Sequence, residues 1–207
     1  DIYVRSCKSN KSNTLQMPPN FILTTKKIVK KNQMKCLIPL MKRDFFTGNI
    51  FEPKLTEEEQ IMKIKEFIKL IRPEIKNNIQ IKPHPYSDNI FKSKVSSMFK
   101  RKVYTSNQSF KESLKNFKLV LNTEPSTVFF ESFYYDIPNV LIFNRDFLHL
   151  NKKVEKLITK MKSNNLIFDN PRKAINHLNK IWLDPFIWWN SNKILKIRKE
   201  FQDLCAL

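Results

Sequence analysis

The sequence has few cysteines, a single glycine and no long apolar run. Its three cysteines, Cys7, Cys36 and Cys205, lie far apart and form no Cys-x-x-Cys pair. The three histidines are not at ligand spacing from them, so we predict no metal site and a reducing compartment. No stretch resembles a signal peptide or reaches about 18 apolar residues, so any membrane contact of these residues is expected to be peripheral.

Arginine and acidic residues are scarce beside lysine. The chain carries 31 lysines and 7 arginines, and its formal net charge is +19. Direct base readout favours arginine, so nucleic acid is not the expected partner. Two interpretations stay open. One is a solvated lysine surface that results from a biased amino-acid composition, in which Gly48 is the single glycine. The other is a functional patch for a polyanion or an anionic membrane.

The length of 207 residues and the 41% hydrophobic composition suit one large α/β domain with an arm. Residues 1–35 are basic and polar, and we interpret them as a connector or arm. Residues 36–207 carry the pattern of a folded domain. Because the chain begins at Asp1, we expect a fragment that lacks an N-terminal domain.

Short apolar runs alternate with helical patterns from Cys36 onward. Thr56 and Glu59 form a capping box before a helix that Pro73 ends, and Asp88 caps the next helix. The predicted strands are 36–40, 79–82, 102–104, 119–122, 139–143 and 166–168. The further predicted helices are 88–99, 109–117, 126–135, 146–161, 172–182 and 187–204. Strands separated by helical crossovers predict a Rossmann-like, doubly wound parallel sheet that helices cover on both faces.

Two loops at strand ends carry the candidate chemistry, because ligands of open α/β sheets lie beyond the carboxyl ends of the strands. The first is Lys82-Pro-His-Pro85. Its prolines stiffen the backbone around His84, whose imidazole can donate a hydrogen bond to a phosphate or carry a proton to a leaving phosphate. The alternative is a turn that happens to hold a histidine.

The second loop runs from Asn122 to Thr127, before a helix. Ser126 and Thr127 lie at the helix N-terminus, where free amides and the macrodipole favour an anion. The alternative is that Ser126 only caps its own helix. Glu131, one turn further, either accepts bonds from a ribose or sugar hydroxyl or is a solvated carboxylate.

Other side chains divide into one more candidate pair and a structural set. Asn144 and Arg145 follow a strand and are expected to point into the same crevice, where Arg145 either binds an anion or forms a surface salt bridge. The aromatic residues near the end and in the 126–135 helix are expected to be core. These are Trp182, Trp188, Trp189, Phe129, Phe130 and Phe133.

The order of these motifs resembles the C-terminal half of GT-B glycosyltransferases. Matching elements are Glu124-Pro125, Glu131-Ser132 and Asp136-Ile-Pro138, with Asp136 where the family has glycine. His84-Pro85 and Ser126-Thr127 resemble more closely the His-Pro and Ser-Thr motifs of sialyltransferase-like and Kdo-transferase-like enzymes. The stretch 181–190 is similar to transferases of bacterial surface-carbohydrate loci, and the likeness runs from about residue 36 to the end.

The resemblance implies a metal-independent transferase without a cofactor that moves a sugar from a nucleotide donor, such as a CMP-sugar, to a cell-surface glycan or a lipid-linked precursor. His84 would assist the departing phosphate. The residues that would line the donor site are Lys82, Pro85, Glu124, Ser126, Thr127, Glu131, Asn144 and Arg145. The acceptor site and base would belong to the missing half, in a bacterial cytoplasmic enzyme. Alternatives are a CDP-polyol phosphotransferase of teichoic-acid type and a non-enzymatic polyanion-binding domain.

Overall fold

The computed structural model describes residues 3–5, 14–16, 34–41, 56–104, 110–114, 116–143 and 152–205. Its strands are β1 (Tyr3–Arg5), β2 (Thr14–Gln16), β3 (Cys36–Pro39), β4 (Ile79–Lys82), β5 (Leu119–Asn122), β6 (Asn139–Ile142) and β7 (Ile167–Phe168). Its helices are α1 (Glu57–Leu70), α2 (Pro73–Lys76), α3 (Asn89–Phe99), α4 (Phe110–Leu114), α5 (Thr127–Tyr134), α6 (Lys152–Ser163), α7 (Pro171–Ile181), α8 (Pro185–Trp189) and α9 (Asn192–Cys205). None of these described helices is long and apolar enough to cross a membrane.

Five strands form one parallel sheet in the order β4-β3-β5-β6-β7. Along the chain, β3 is the first strand of this sheet. The next strand, β4, pairs on one side of β3, and β5, β6 and β7 follow on the other side. This order confirms the predicted doubly wound fold. Its topological switch point, where ligands bind in such sheets, lies between β3 and β5.

Helices cover both faces of this sheet. On one face Ile38, Ile81 and Leu121 pack with apolar side chains of α1, α3 and α7. On the other face Leu141 and Ile167 pack with α5, α6 and α9. A smaller cluster on that second face joins Leu37 and Val120 of the sheet to α4 and the end of α5. Both faces of each central strand are thus buried, as expected for parallel strands between helical layers.

Local sequence signals set the starts of two helices as predicted. The Thr56 hydroxyl accepts from the Glu59 amide at 3.1 Å, and the Glu59 carboxylate accepts from the Thr56 amide at 2.6 Å. The Asp88 carboxylate accepts from the amide of Phe91 at 2.6 Å at the start of α3. These reciprocal bonds satisfy helix-end donors that have no partner within the helix.

The predicted strand 102–104 is reduced to one bridge. Residues Lys100–Lys102 form a short 3-10 helix, and only Val103 pairs with Ile81. The cause is Lys100, whose φ of 48° turns the chain out of α3 in a left-handed conformation. The backbone regains extended pairing at Tyr104, whose amide donates to the Ile81 carbonyl at 2.8 Å.

The predicted closing helix 187–204 is wrong in its extent, because two helices replace it. Asp184 caps α8 and Pro185 occupies its first turn, so helix begins earlier than expected. The helix ends at Trp189, whose carbonyl accepts a bond from the Arg198 guanidinium at 3.2 Å. A turn at Asn190 and Ser191 then leads into α9.

The other bounds differ by a few residues. Helix α4 is shorter than the predicted 109–117, and the first residues of the predicted helix 146–161 lie outside the described residues. Within the predicted arm, β1 and β2 pair in parallel, with Tyr3 opposite Thr14. The boundary between arm and domain at residue 36 stays a prediction.

The C-terminal helices are anchored to the sheet by buried polar contacts. The Lys118 ammonium, at the start of β5, donates to the Trp182 carbonyl and lies 4.0 Å from the centre of its ring. Asp136, just after α5, accepts from the Trp189 indole at 2.9 Å and pairs with Arg198. Trp182 and Trp189 are buried, as are Phe129 and Phe133, and Trp188 and Phe130 pack against them. The prediction that these aromatics are structural is confirmed.

Candidate functional site

The two predicted loops lie at the same edge of the sheet, beyond the carboxyl ends of β4 and β5. They are not neighbours, because β3 lies between these strands. With strands about 4.8 Å apart, roughly 10 Å separates the strand ends that carry them. The switch point between β3 and β5 lies beside the Ser126 loop. His84 reaches this region from one strand further away.

The His84 loop is held by its own backbone. The Ser87 amide donates to the His84 carbonyl at 3.0 Å, and the Tyr86 amide donates to His84 Nδ1 at 3.3 Å. A backbone amide can only donate, so Nδ1 acts as the acceptor and the hydrogen of the neutral ring resides on Nε2. The ring also lies 5.7 Å from the Tyr86 ring, centre to centre. The imidazole is therefore fixed in the tautomer that can donate through Nε2.

Lys82 and Pro85 flank this histidine in different environments. The Lys82 side chain is buried, and its ammonium lies 5.1 Å from the centre of the Tyr104 ring. Burial lowers the pKa of Lys82 below its usual value. Pro85 is exposed, and its carbonyl accepts from the Lys92 ammonium at 2.7 Å. The cation within reach of the loop backbone is thus Lys92 of α3, which the sequence analysis did not single out.

Ser126 is the N-cap residue of α5 but does not cap it with its side chain. Its backbone is extended, with φ −133° and ψ 174°, and its hydroxyl forms no capping hydrogen bond. The side chain is nevertheless nearly buried. The expected alternative, that the hydroxyl merely caps its own helix, is therefore not what the structure contains. The amide of Phe129 already donates to the Ser126 carbonyl at 2.9 Å, so the amides left for an anion beside this hydroxyl are those of Thr127 and Val128.

A buried polar layer lies directly behind Ser126. The Asn122 amide donates to the Asn139 side chain at 2.6 Å across β5 and β6, and Asn139 donates to the Phe129 carbonyl at 3.3 Å. Among the described residues, Asn122 Oδ1 and Thr123 Oγ1 are buried without a hydrogen-bond partner. Buried polar atoms normally have partners, so this loop has unused hydrogen-bonding capacity next to the helix N-terminus.

Glu131 lies on the face of α5 that continues below position 127. Helical side chains lean towards the N-terminus, so we expect the Glu131 carboxylate to lean towards the Ser126 loop. Burial raises the pKa of Glu131 to about 7, so its neutral form is more populated near neutral pH than that of a solvated carboxylate. Glu124, in the loop itself, is half-buried.

Two predicted residues lie outside this description. Asn144 and Arg145 fall in the range 144–151, which the structure does not describe, and the same holds for the side chain of Thr127. Their roles stay predictions. In the part of the chain that is described, no group of three or more His, Cys, Asp or Glu side chains is placed to hold a metal ion.

The residues that sequence reasoning missed are Lys92, Thr123 and Asn139. Lys92 follows the Asp88 cap by four residues, so it lies one helical turn above the His84 loop. The signal for Asn139 was a polar residue at the start of an apolar strand, beside an equally buried Asn122. A polar residue inside a buried strand needs a partner, and the neighbouring strand supplies it.

The sequence matches a protein-family model, and the structure has similar counterparts among solved structures. A crystal structure of a TarM mutant from S. aureus, determined with fondaparinux, alpha-GlcNAc-glycerol and UDP, is 13% identical with a TM-score of 0.48. The likeness covers 94% of this chain but only 37% of that one. Comparison with curated proteins finds no match. The family model is described as "LIC12162 family transferase" and matches residues 7–206. Because that match spans nearly the whole chain, the protein belongs to the LIC12162 family of transferases.

Proposed function

We propose that this transferase is a glycosyltransferase and that the described domain binds the nucleotide part of its sugar donor. One observation carries the proposal. At the topological switch point, α5 begins with a serine hydroxyl that forms no capping bond, beside buried polar atoms that have no hydrogen-bond partner within the described part of the chain. A phosphate at this position would accept from the amides of the first two helical residues and from Ser126, without the glycine-rich loop that this chain lacks.

The polar groups around Ser126 would each bind a different part of the donor. The helix N-terminus would hold the phosphate next to the nucleoside. Glu131 would accept a hydrogen bond from a ribose hydroxyl, since its carboxylate is expected to lean towards the N-terminal end of α5. Thr123, with its buried hydroxyl, would add a further bond from below. Glu124, Thr127, Asn144 and Arg145 would complete the wall of the donor site.

His84 would act on the phosphate that departs from the sugar. Its Nε2 carries the hydrogen of the neutral ring, so it can donate to an oxygen on which negative charge develops. Because β3 lies between the two loops, His84 and Ser126 would approach that phosphate from opposite sides. The Lys92 ammonium, bound to the Pro85 carbonyl, would raise the local positive potential. Lys82 and Pro85 would hold the loop in position.

The wider assignment follows the resemblance of the motifs. The donor would be a nucleotide sugar, with a CMP-sugar as the first candidate, and the acceptor a cell-surface glycan or its lipid-linked precursor. A further domain would supply the acceptor site and the base, and the reaction would need neither metal nor cofactor. The enzyme would work in the bacterial cytoplasm, with peripheral contact to the membrane.

Calorimetric titration with CMP, CDP, UDP and GDP tests the donor site. We expect selective binding that weakens roughly tenfold in Ser126→Ala and in His84→Ala, the size of one lost charge-assisted hydrogen bond. Ser132→Ala is the matched control. It removes a serine hydroxyl from the same helix, but one that donates to the Val128 carbonyl at 2.8 Å and lies away from the site.

The pattern of ligands separates the alternatives. A preference for CMP supports the sialyltransferase-like branch, whereas a preference for CDP with transfer of a polyol phosphate supports the teichoic-acid type. A short oligonucleotide, titrated at two salt concentrations, tests the polyanion alternative. Binding to the oligonucleotide alone, steeply salt-dependent and unaffected by Ser126→Ala, would rule out the donor site.

A further inference from the structure

A cavity opens at the edge of the sheet opposite to the Ser126 loop, where β3 and β4 begin. Its volume is about 240 Å³. It lies between the residue that precedes β3, the turn from α2 into β4, and the short 3-10 helix after α3. The described residues that line it are Lys35, Asn77, Asn78, Ile79, Gln80, Arg101 and Lys102. No step of the proposed glycosyl transfer uses them.

The cavity concentrates positive charge. Three of its lining side chains are cationic, Lys35, Arg101 and Lys102, and none of the described lining residues is acidic. Lys102 is half-buried, and its ammonium donates to the Lys76 carbonyl. Burial, and then the nearby charge of Lys76, lower the pKa of Lys102. Cations drawn together without a carboxylate repel one another, and an anion between them would relieve that repulsion.

Gln80 adds an acceptor to this cationic wall. Its Oε1 is buried and has no hydrogen-bond partner among the described residues. Lysine and arginine only donate, so they match the oxygens of an anion, whereas the amide oxygen needs a donor. A small ligand that matches this lining therefore combines a compact anionic group with a neighbouring hydroxyl.

We infer that this cavity is a binding site for a small phosphate-bearing ligand that also carries a hydroxyl donor, such as the phosphate monoester of a short polyol. The phosphate contacts Arg101, Lys102 and Lys35, and the hydroxyl donates to Gln80. The volume accommodates the phosphate and a few further heavy atoms. The site lies at the opposite edge of the sheet from the donor site around Ser126.

The test is an amide-resolved NMR titration of the chain at constant ionic strength with glycerol 3-phosphate, inorganic phosphate and sulfate. We expect saturable shifts at residues 77–80 and 101–102. Glycerol 3-phosphate and inorganic phosphate, which carry a hydroxyl hydrogen, bind more tightly than sulfate, which has none at neutral pH. Arg101→Ser weakens binding roughly tenfold, as the loss of one charge-assisted hydrogen bond predicts. Gln80→Met removes the preference over sulfate.

Controls separate this site from general attraction to a basic surface and from the donor site. Lys65→Ser removes an exposed cation from α1 and leaves the shifts unchanged, and Ser126→Ala does the same. Arg101 is exposed, so its replacement leaves the fold intact, and the unshifted amides of the variant verify this. Three results would overturn the inference: no saturation, equal weakening by Lys65→Ser, or equal affinity for sulfate in the unmodified chain.

Discussion

The two ends of α5 treat polar groups in opposite ways. At its C-terminal end, Asp136 adopts a left-handed φ of 57°, and its carboxylate is bound by the Trp189 indole and the Arg198 guanidinium. At its N-terminal end, the Ser126 hydroxyl forms no capping bond, and Asn122 Oδ1 and Thr123 Oγ1 are buried with no partner in the ranges that the structure describes. The same short helix thus has one closed end and one open end.

The difference teaches where to look for function in this chain. At the closed end, the Trp189 indole and the Arg198 guanidinium bind the Asp136 carboxylate, which is what stability requires. The open end keeps hydrogen-bonding capacity that folding does not consume. Unused capacity at a helix N-terminus and a topological switch point is what a ligand phosphate needs. Breaking each end should therefore affect a different property.

The largest effect is expected from opening the closed end. Arg198→Met leaves the Asp136 carboxylate and the Trp189 carbonyl without their guanidinium partner. Removing one member of a buried pair costs about 3–5 kcal/mol, and the partial exposure of Asp136 reduces this to about 2 kcal/mol. Chemical unfolding measures the loss. Lys199→Met, on the exposed side of the same helix, should change stability by less than about 0.5 kcal/mol. Similar values for both variants would contradict the closed-end description.

Another buried polar side chain lies on α7, which covers the opposite face of the sheet from α5. It is His177, which packs against Phe168 and Trp188. Its Nε2 is buried without a partner among the described residues, and burial followed by the charge of Lys180 lowers its pKa to about 4. A depressed histidine pKa stabilises the fold above about pH 6.5, and this contribution is lost as pH falls from 6.5 towards 4.

The variant His177→Phe keeps the aromatic contacts and removes the titration. Its stability relative to the unmodified chain should therefore rise by about 1–2 kcal/mol between pH 8 and pH 5. Using the difference between two pH values cancels any packing change caused by the new ring. Unfolding curves that shift in parallel at both pH values would show that His177 does not set the acid sensitivity.

A serine pair sharpens the comparison along the helix itself. Ser126→Ala should change the unfolding free energy by less than about 0.5 kcal/mol, because the hydroxyl makes no cap bond, although it weakens nucleotide binding. Ser132→Ala should cost about 1 kcal/mol, since it removes a buried bond to the Val128 carbonyl, and should keep binding. If Ser126→Ala cost as much stability as Ser132→Ala, the hydroxyl would be structural after all.

A further pH-dependent effect is expected from the carboxylate between the two ends. Burial raises the pKa of Glu131 to about 7, so the folded state holds a proton that the unfolded state has released above pH 4.5. Stability contributed by this proton is present at low pH and is lost as pH rises from 4.5 towards 7.

Replacing Glu131 by glutamine tests this titration. The melting temperature of Glu131→Gln should fall less than that of the unmodified chain between pH 5 and pH 8. Nucleotide affinity of the unmodified chain should rise through pH 7 as the neutral carboxyl group becomes a carboxylate, which is the stronger acceptor, and this rise should be missing in the variant. An equal pH dependence in both proteins would remove Glu131 from the donor site.

Much of the fold follows from the sequence because its signals are local. Thr56 and Asp88 fix helix starts through bonds to amides three residues away, and β4 and β5 have the predicted bounds. The alternation of strand and helix gave the parallel, doubly wound class. The predicted bounds were wrong at two places that local signals do not mark. The break after Trp189 involves a bond from the distant Arg198, and the chain leaves α3 at Lys100, whose φ is positive.

The candidate site was predictable only in part, for a similar reason. Spacing placed His84 and Ser126 at strand ends, but the order of strands, which separates them by β3, is not encoded locally. Periodicity cannot foresee that Ser126 leaves its helix uncapped, or that Lys92 reaches the Pro85 carbonyl. The burial of Lys82 over Tyr104 likewise depends on where the chain returns after α3. Such features require the assembled tertiary structure.

The bond between Lys118 and the Trp182 carbonyl has a consequence for how the chain is made. The lysine immediately precedes the central strand β5, yet its partner is synthesised 64 residues later. During translation, this ammonium stays in water, and the strand cannot bury its entry point until the Trp182 segment has emerged. Native packing at this edge is therefore completed only after synthesis of the C-terminal helices. A ribosome paused before that segment would hold a nascent chain with an unfinished sheet, a substrate for chaperones.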